Sequence, residues 1–200
     1  MARTRLDTYL TWLRATATFV FIAALCVSVA LLVIAFIPGS PVRQELPARA
    51  LSGFDGVGGV DAGVSLAKAG WVPFTVDDPT LAQRLLFLLT MLPGLLVVAE
   101  IARRLAAVVR NAQDSDPFTA VTSRALVSIG KLTVLAGLGA WAVSTVARAV
   151  LAHTMLDSTT HLLRPHHSPL GWLVVGAILA GFGLILDRGV EMRTELDTVI

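Results

Sequence analysis

The chain has 200 residues, of which 55% are hydrophobic and 15% charged, with a mean hydropathy of +0.75; a soluble globular domain is excluded because too little polar surface is left to dissolve it. The formal charge of +2 is the basic excess that cytoplasmic membrane loops carry, so direct nucleic-acid binding is not expected. The single cysteine, Cys26, excludes an intrachain disulfide and is expected to be a buried, inert thiol.

From Arg14 to Arg43 the chain runs 28 residues without a charged side chain. The first span is predicted at residues 16–37. Arg3, Arg5 and Arg14 give it the basic start of a secretory signal, but its apolar stretch is far longer than the roughly 7 to 15 residues of a signal core. A hydrocarbon layer of about 30 Å needs about 20 helical residues, and Pro38-Gly39-Ser40-Pro41 ends the helix soon after that length is reached.

A long loop over 38–80 follows. Its stretch Gly53-Phe54-Asp55-Gly56-Val57-Gly58-Gly59-Val60-Asp61 lacks the Lys-Ser/Thr ending of a phosphate-cradling loop, and turns between short strands are the better reading. Trp71-Val72-Pro73-Phe74-Thr75-Val76 has the aromatic and β-branched content of a strand, or of a segment lying on the membrane surface.

The second and third spans are predicted at 81–101 and about 125–151, because their strictly uncharged runs, Leu85 to Ala99 and Leu132 to Ala147, are too short to cross alone. Arg84, Glu100, Lys131 and Arg148 then fall near the interfaces, where long cationic side chains reach the headgroups. Glu100 is spaced to pair with Arg103 and Arg104 along one helix, and Arg84 and Arg148 are expected to snorkel or to meet Asp77, Asp78 and Asp157. With no charge at mid-depth in any span, this structural reading outweighs an ion pathway.

In the connection 102–124 the helix is expected to break at Asn111-Ala112-Gln113-Asp114-Ser115. It restarts at Asp116-Pro117-Phe118-Thr119, with Asp116 as the cap and Thr119 as the alternative. Small residues offer packing seams: Ala136, Ala140 and Ser144 in span three, and Gly176, Ala177 to Gly181 and Gly183 in span four, which is predicted at 170–186. The seams serve a compact bundle or a homo-oligomer equally well.

Counting Lys and Arg puts ten on one side and six on the other. The positive-inside rule therefore places both termini, the connection 102–124 and the tail 187–200 in the cytoplasm, and the loops 38–80 and 152–169 outside. The expected fold is an all-α membrane protein, a bundle of four transmembrane helices multiply crossing the cell membrane, with short β-strands in the first outside loop.

Candidate chemistry is sparse. His153, His161, His166 and His167 cluster near the second outside loop with Asp157, so His161, His166 and His167 are the only candidates for an outward zinc or copper site or a pH response. Their spacing fits no strong metal motif, and a polar loop is the preferred reading. No nucleophile stands beside a plausible His and carboxylate, and neither a His-Glu-x-x-His motif nor an intramembrane carboxylate pair is present, so neither enzymatic activity nor a cofactor is expected.

The order of four spans, the long first loop, Asp116-Pro117-Phe118-Thr119 at the start of span three and the ending Leu186-Asp187-Arg188-Gly189-Val190-Glu191-Met192-Arg193-Thr194-Glu195-Leu196-Asp197-Thr198-Val199 resemble the bacterial membrane family called domain of unknown function 2975. Ala120 to Arg124 and Arg193-Thr194 depart from its pattern. The resemblance implies no catalytic activity and a small helix-turn-helix regulator as cytoplasmic partner. Asp116, Pro117, Phe118, Thr119, Glu191, Glu195 and Asp197 are then the candidate docking residues. A sensor or regulator is the leading expectation; a small transporter or channel subunit, and an outward metal-binding protein, are the alternatives.

Overall fold

The computed structural model describes residues 2–37, 39–47, 71–114, 119–155 and 168–197. Four helices carry the chain: α1 (Ala2–Phe36), α2 (Leu81–Asp114), α3 (Ala120–Met155) and α4 (Leu170–Asp197), with strands β1 (Val42–Pro47) and β2 (Trp71–Val76) between α1 and α2. All four helices are long and apolar enough to cross a membrane. The chain forms two compact units, one of residues 1–29, 92–142 and 167–200, the other of residues 30–91 and 143–166. We call them the seam unit and the clamp unit.

In the clamp unit, α1 stops where Gly39 takes a φ of 76°, a left-handed conformation that glycine adopts without a Cβ penalty. Ser40 closes the end by donating its hydroxyl to the carbonyls of Ile34 at 2.7 Å and Ile37 at 3.0 Å. The chain then enters β1, which pairs antiparallel with β2 from Val42 opposite Val76 to Pro47 opposite Trp71. β2 is the strand read from its aromatic content. β1 is a second short strand of this loop: Val42 and Gln44 are buried while Arg43 and Glu45 are exposed, the alternation of a half-buried strand. The glycine-rich stretch of 53–61 lies outside the described residues.

α2 opens with a capping box. The Gln83 amide donates to Thr80 Oγ1 at 3.3 Å and the Thr80 amide donates to Gln83 Oε1 at 2.9 Å, so two end donors are satisfied reciprocally. Inside α2, Pro93 has no amide proton for the carbonyl four residues back. It stands beside Leu92, where α2 passes from one unit to the other.

In the seam unit, α2 runs through Asn111 and ends at Asp114, within the stretch where its break is expected. Gln113 supports this last turn: its Nε2 donates to Thr11 Oγ1 and its Oε1 accepts from Arg14, both at 3.3 Å. α3 starts at Ala120 on the alternative cap, with the Thr122 amide donating to Thr119 Oγ1 at 3.3 Å. Asp116, Pro117 and Phe118 lie outside the described residues.

The α3 to α4 contact is the closest in the seam unit, and glycines make it. A Cβ placed on Gly130 would sit 2.6 Å from both the Ala180 amide nitrogen and the Gly176 carbonyl oxygen. One on Gly183 would lie 2.8 Å from the Val127 amide nitrogen, and Gly137 lies under the Trp172 ring. Without hydrophobic driving force between helices in lipid, such backbone approach is how they associate. The expected seam on span four holds at Gly176, Ala180 and Gly183. On α3 the face that meets α4 runs through Ser123, Val127, Gly130, Val134 and Gly137, while Ala140 of the expected seam is buried elsewhere on the helix.

This seam fixes an axial register that hydropathy did not anticipate. With Trp172 on Gly137 and Gly183 beside Ser123, the apolar run Leu170 to Leu186 lies alongside residues 123–140 of α3. Those residues include Arg124 and Lys131, both exposed. The middle of that run is therefore displaced by about 12 Å from the middle of α3's uncharged stretch.

Cys26 is exposed on α1, correcting the expectation of burial. It shares that surface with Leu25 and Val27, an apolar exterior that a lipid-facing helix requires.

Candidate functional site

Arg84 was expected to snorkel or to meet an aspartate. Instead its Nη1 donates to the carbonyls of Ala35 at 3.0 Å and Ile37 at 2.9 Å, and its Nε donates to Pro79 O at 3.2 Å. The last carbonyls of a helix lack intrahelical partners and carry the negative end of its dipole, so a forked cation there satisfies both needs. One residue thus ties the end of α1 to the start of α2. Nearby, Gln83 Nε2 donates to Thr154 Oγ1 at 3.4 Å, joining α3 to the same end.

Arg148 is half-buried in the clamp unit. Asp157, the partner expected from sequence, lies outside the described residues. Glu100 meets Arg103 at 2.8 Å and Arg104 at 2.6 Å, as its spacing predicts. All three side chains are substantially exposed, and the ion cluster lies along one helix.

The end of the seam unit that holds the α2 to α3 connection gathers further polar groups. Ser123 is fully buried and donates its hydroxyl to Asp187 Oδ1 at 2.7 Å. It also reaches the Ala120 carbonyl at 3.1 Å. Asp187, the first charge after α4's apolar run, is therefore fixed to the first turn of α3 close to Thr119. Beyond Asp187 the helix continues to Asp197, so the tail expected over 187–200 is mostly a rigid extension of α4. Glu191 is exposed there and lies 3.5 Å from Arg188; Glu195 and Asp197 occupy the final helical turns.

Sequence reasoning missed Ser123, Gly130, Gly137 and the Arg14 to Gln113 link. A signal for the first three was present: Ser123, Gly130 and Gly137 recur every seven residues, as Gly176 and Gly183 do on α4. Small residues at two-turn spacing keep one narrow helix face open to a neighbour. His161, His166 and His167 lie outside the described residues, and among the described residues no group of His, Cys, Asp and Glu is placed to hold a metal.

No protein-family model matches the chain, and neither a curated protein nor a solved structure matches it.

Proposed function

We propose that this is a multi-pass protein of the cell membrane, with both termini in the cytoplasm, that regulates without catalysis by docking a cytoplasmic protein. The docking surface is the α2 to α3 connection around Asp116, Pro117, Phe118 and Thr119 together with the α4 tail bearing Glu191, Glu195 and Asp197. The observation that carries this reading is the Ser123 to Asp187 bond of 2.7 Å. It ties the helical turn of α4 that begins the tail to the first turn of α3, next to Thr119. The Lys and Arg distribution supports the cytoplasmic placement. The resemblance to domain of unknown function 2975 points to a small helix-turn-helix regulator as the partner.

Affinity purification of the full chain and of a chain ending at Arg188 tests the reading. A helix-turn-helix protein retained by the first and lost from the second is the expected result. An unchanged set of partners removes the tail from the interface and overturns the proposal.

A further inference from the structure

α1, α2 and α3 each pass from one unit into the other without ending: α1 between Val29 and Ala30, α2 between Met91 and Leu92, and α3 between Ala142 and Val143. Unbroken helices are stiff, and sharp bends in them arise at proline, at glycine and serine, or where a side chain enters the backbone ladder. Each helix has such a feature beside its crossing.

The feature is strongest in α2. Pro93, the second residue past the crossing, supplies no amide to the Leu89 carbonyl, and its ring presses on that carbonyl. Gly94 follows. A Cβ there would meet nothing within 4 Å, so packing does not demand a glycine, and glycine in a helix interior is less stable than alanine. On the other side of the crossing the buried Thr90 turns its hydroxyl onto the Phe87 carbonyl at 2.7 Å. In α1 the buried Ser28 donates to the Ala24 carbonyl at 2.7 Å just before the crossing; back-bonds of this kind bend helices. In α3, Gly139 stands three residues before the crossing, again with nothing within 4 Å of a Cβ. The seam glycines Gly130, Gly137, Gly176 and Gly183 are different, since a neighbour fills the place of each Cβ.

Bonds that lock each unit lie away from these crossings. In the clamp unit Arg84 holds the carbonyls of Ala35 and Ile37, and Gln83 holds Thr154. In the seam unit Arg14 holds Gln113, and Ser123 holds Asp187.

We propose that Pro93 and Gly94 form a hinge in α2, with α1 yielding at Ser28 and α3 at Gly139, about which the clamp unit turns as one body against the seam unit. Hinges concentrate a change of backbone angle in a few residues. Because Pro93 leaves the Leu89 carbonyl without its helical amide, the bend can open or close there without breaking a backbone bond of α2. A displacement of β1 and β2 then reaches the seam unit as a change of angle. That this angle serves docking rests on the function proposed above; the hinge itself does not.

Double electron–electron resonance on the full chain, in vesicles of phosphatidylcholine and phosphatidylglycerol, reads the angle. Cys26→Ala removes the native thiol. Leu85→Cys in the clamp unit and Leu184→Cys in the seam unit carry one pair of spin labels, and Leu135→Cys with Leu184→Cys, both in the seam unit, carry the control pair; all three positions are exposed. The first pair is expected to give a broad distance distribution that narrows to the width of the control when Pro93→Ala is added. Gly94→Ala, whose added Cβ meets nothing, is expected to narrow it part of the way, and decides the matter if Pro93→Ala does not fold. A first pair already as narrow as the control means a fixed kink and overturns the proposal. A width that neither variant changes overturns it too, as does a control pair as broad as the first. No partner enters these measurements, so a failure of the docking reading leaves their outcome untouched.

Discussion

The two units join their helices by opposite means. In the seam unit, α3 and α4 touch backbone to backbone through Gly130, Gly176 and Gly183. In the clamp unit, α1 and α2 are joined through one long cation that reaches the carbonyls of Ala35 and Ile37. Both answer the same problem, since apolar burial does not distinguish a helix neighbour from lipid. What differs is tolerance: a contact made of absent side chains has no slack, whereas one made by a flexible side chain has several substitutes, including water at the interface. The seam should therefore be the more fragile of the two.

The largest effect is expected at Gly130. Gly130→Val forces a branched side chain into the Ala180 and Gly176 backbones, and overpacking of this kind costs about 3 kcal/mol. Gly139, two residues beyond the seam glycine Gly137, is its control, because a Cβ there meets nothing within 4 Å. Gly139→Ala should gain about 1 kcal/mol in helix propensity. Unfolding of the purified protein in mixed micelles by increasing SDS measures both. Equal behaviour of the two variants removes the seam from the account of stability.

Arg84 comes next. Arg84→Gln withdraws the charged Nη1 from two helix-end carbonyls, and with water able to replace part of what is lost the cost is about 2 kcal/mol. Arg84→Lys should recover only part of it, since an ammonium in the place of Nη1 leaves the Nε bond to the Pro79 carbonyl unmade. The same SDS titration reads the result. Full recovery by lysine reduces the clamp to a charge near a dipole and blurs the contrast with the seam.

Ser123→Ala probes a polar bond placed within the glycine seam. It removes the bond to Asp187 at a cost of about 1 kcal/mol, while its smaller side chain leaves the packing face intact. The telling measurement is hydrogen exchange of the tail amides from Gly189 to Asp197, which should accelerate if Asp187 anchors them. Unchanged protection means that α4 packing alone holds the tail.

These contrasts explain how much was legible in the sequence. That four helices are long and apolar enough to cross followed from composition, because the solvent imposes about 20 apolar residues on any crossing helix. The Glu100 cluster was legible because its partners lie within one turn. Arg84 was read as a snorkelling charge, since its acceptors, the Ala35 and Ile37 carbonyls, are backbone atoms 49 and 47 residues away that no residue type advertises. The α4 register was missed for a related reason. Hydropathy locates an apolar run along its own axis but does not say against which neighbour it stops, and the seven-residue recurrence of small residues that does say so was not read as one pattern. The cap at Thr119 went to Asp116 because an Asp-Pro pair is the stronger local signal, whereas the observed start depends on the hydroxyl of Thr119 meeting the Thr122 amide.

The smallest effect is expected at Glu100, and its size locates the ion cluster in depth. Arg103 and Arg104 bracket this carboxylate at 2.8 and 2.6 Å, but the side chains stay 57% and 40% accessible and that of Glu100 34%. In water such a pair on one helix contributes little, because solvent screens it and ordering the side chains opposes it. Glu100→Gln should therefore leave the SDS midpoint close to that of the unchanged protein. Within hydrocarbon the same substitution would strand two arginines without a counter-charge, and the helix would be displaced or fail to insert. A large loss of stability would consequently move the membrane boundary below Glu100, toward the depth that α4 occupies through its glycine register. A negligible one keeps the boundary at the Glu100 cluster and leaves α4 as the helix that departs from it.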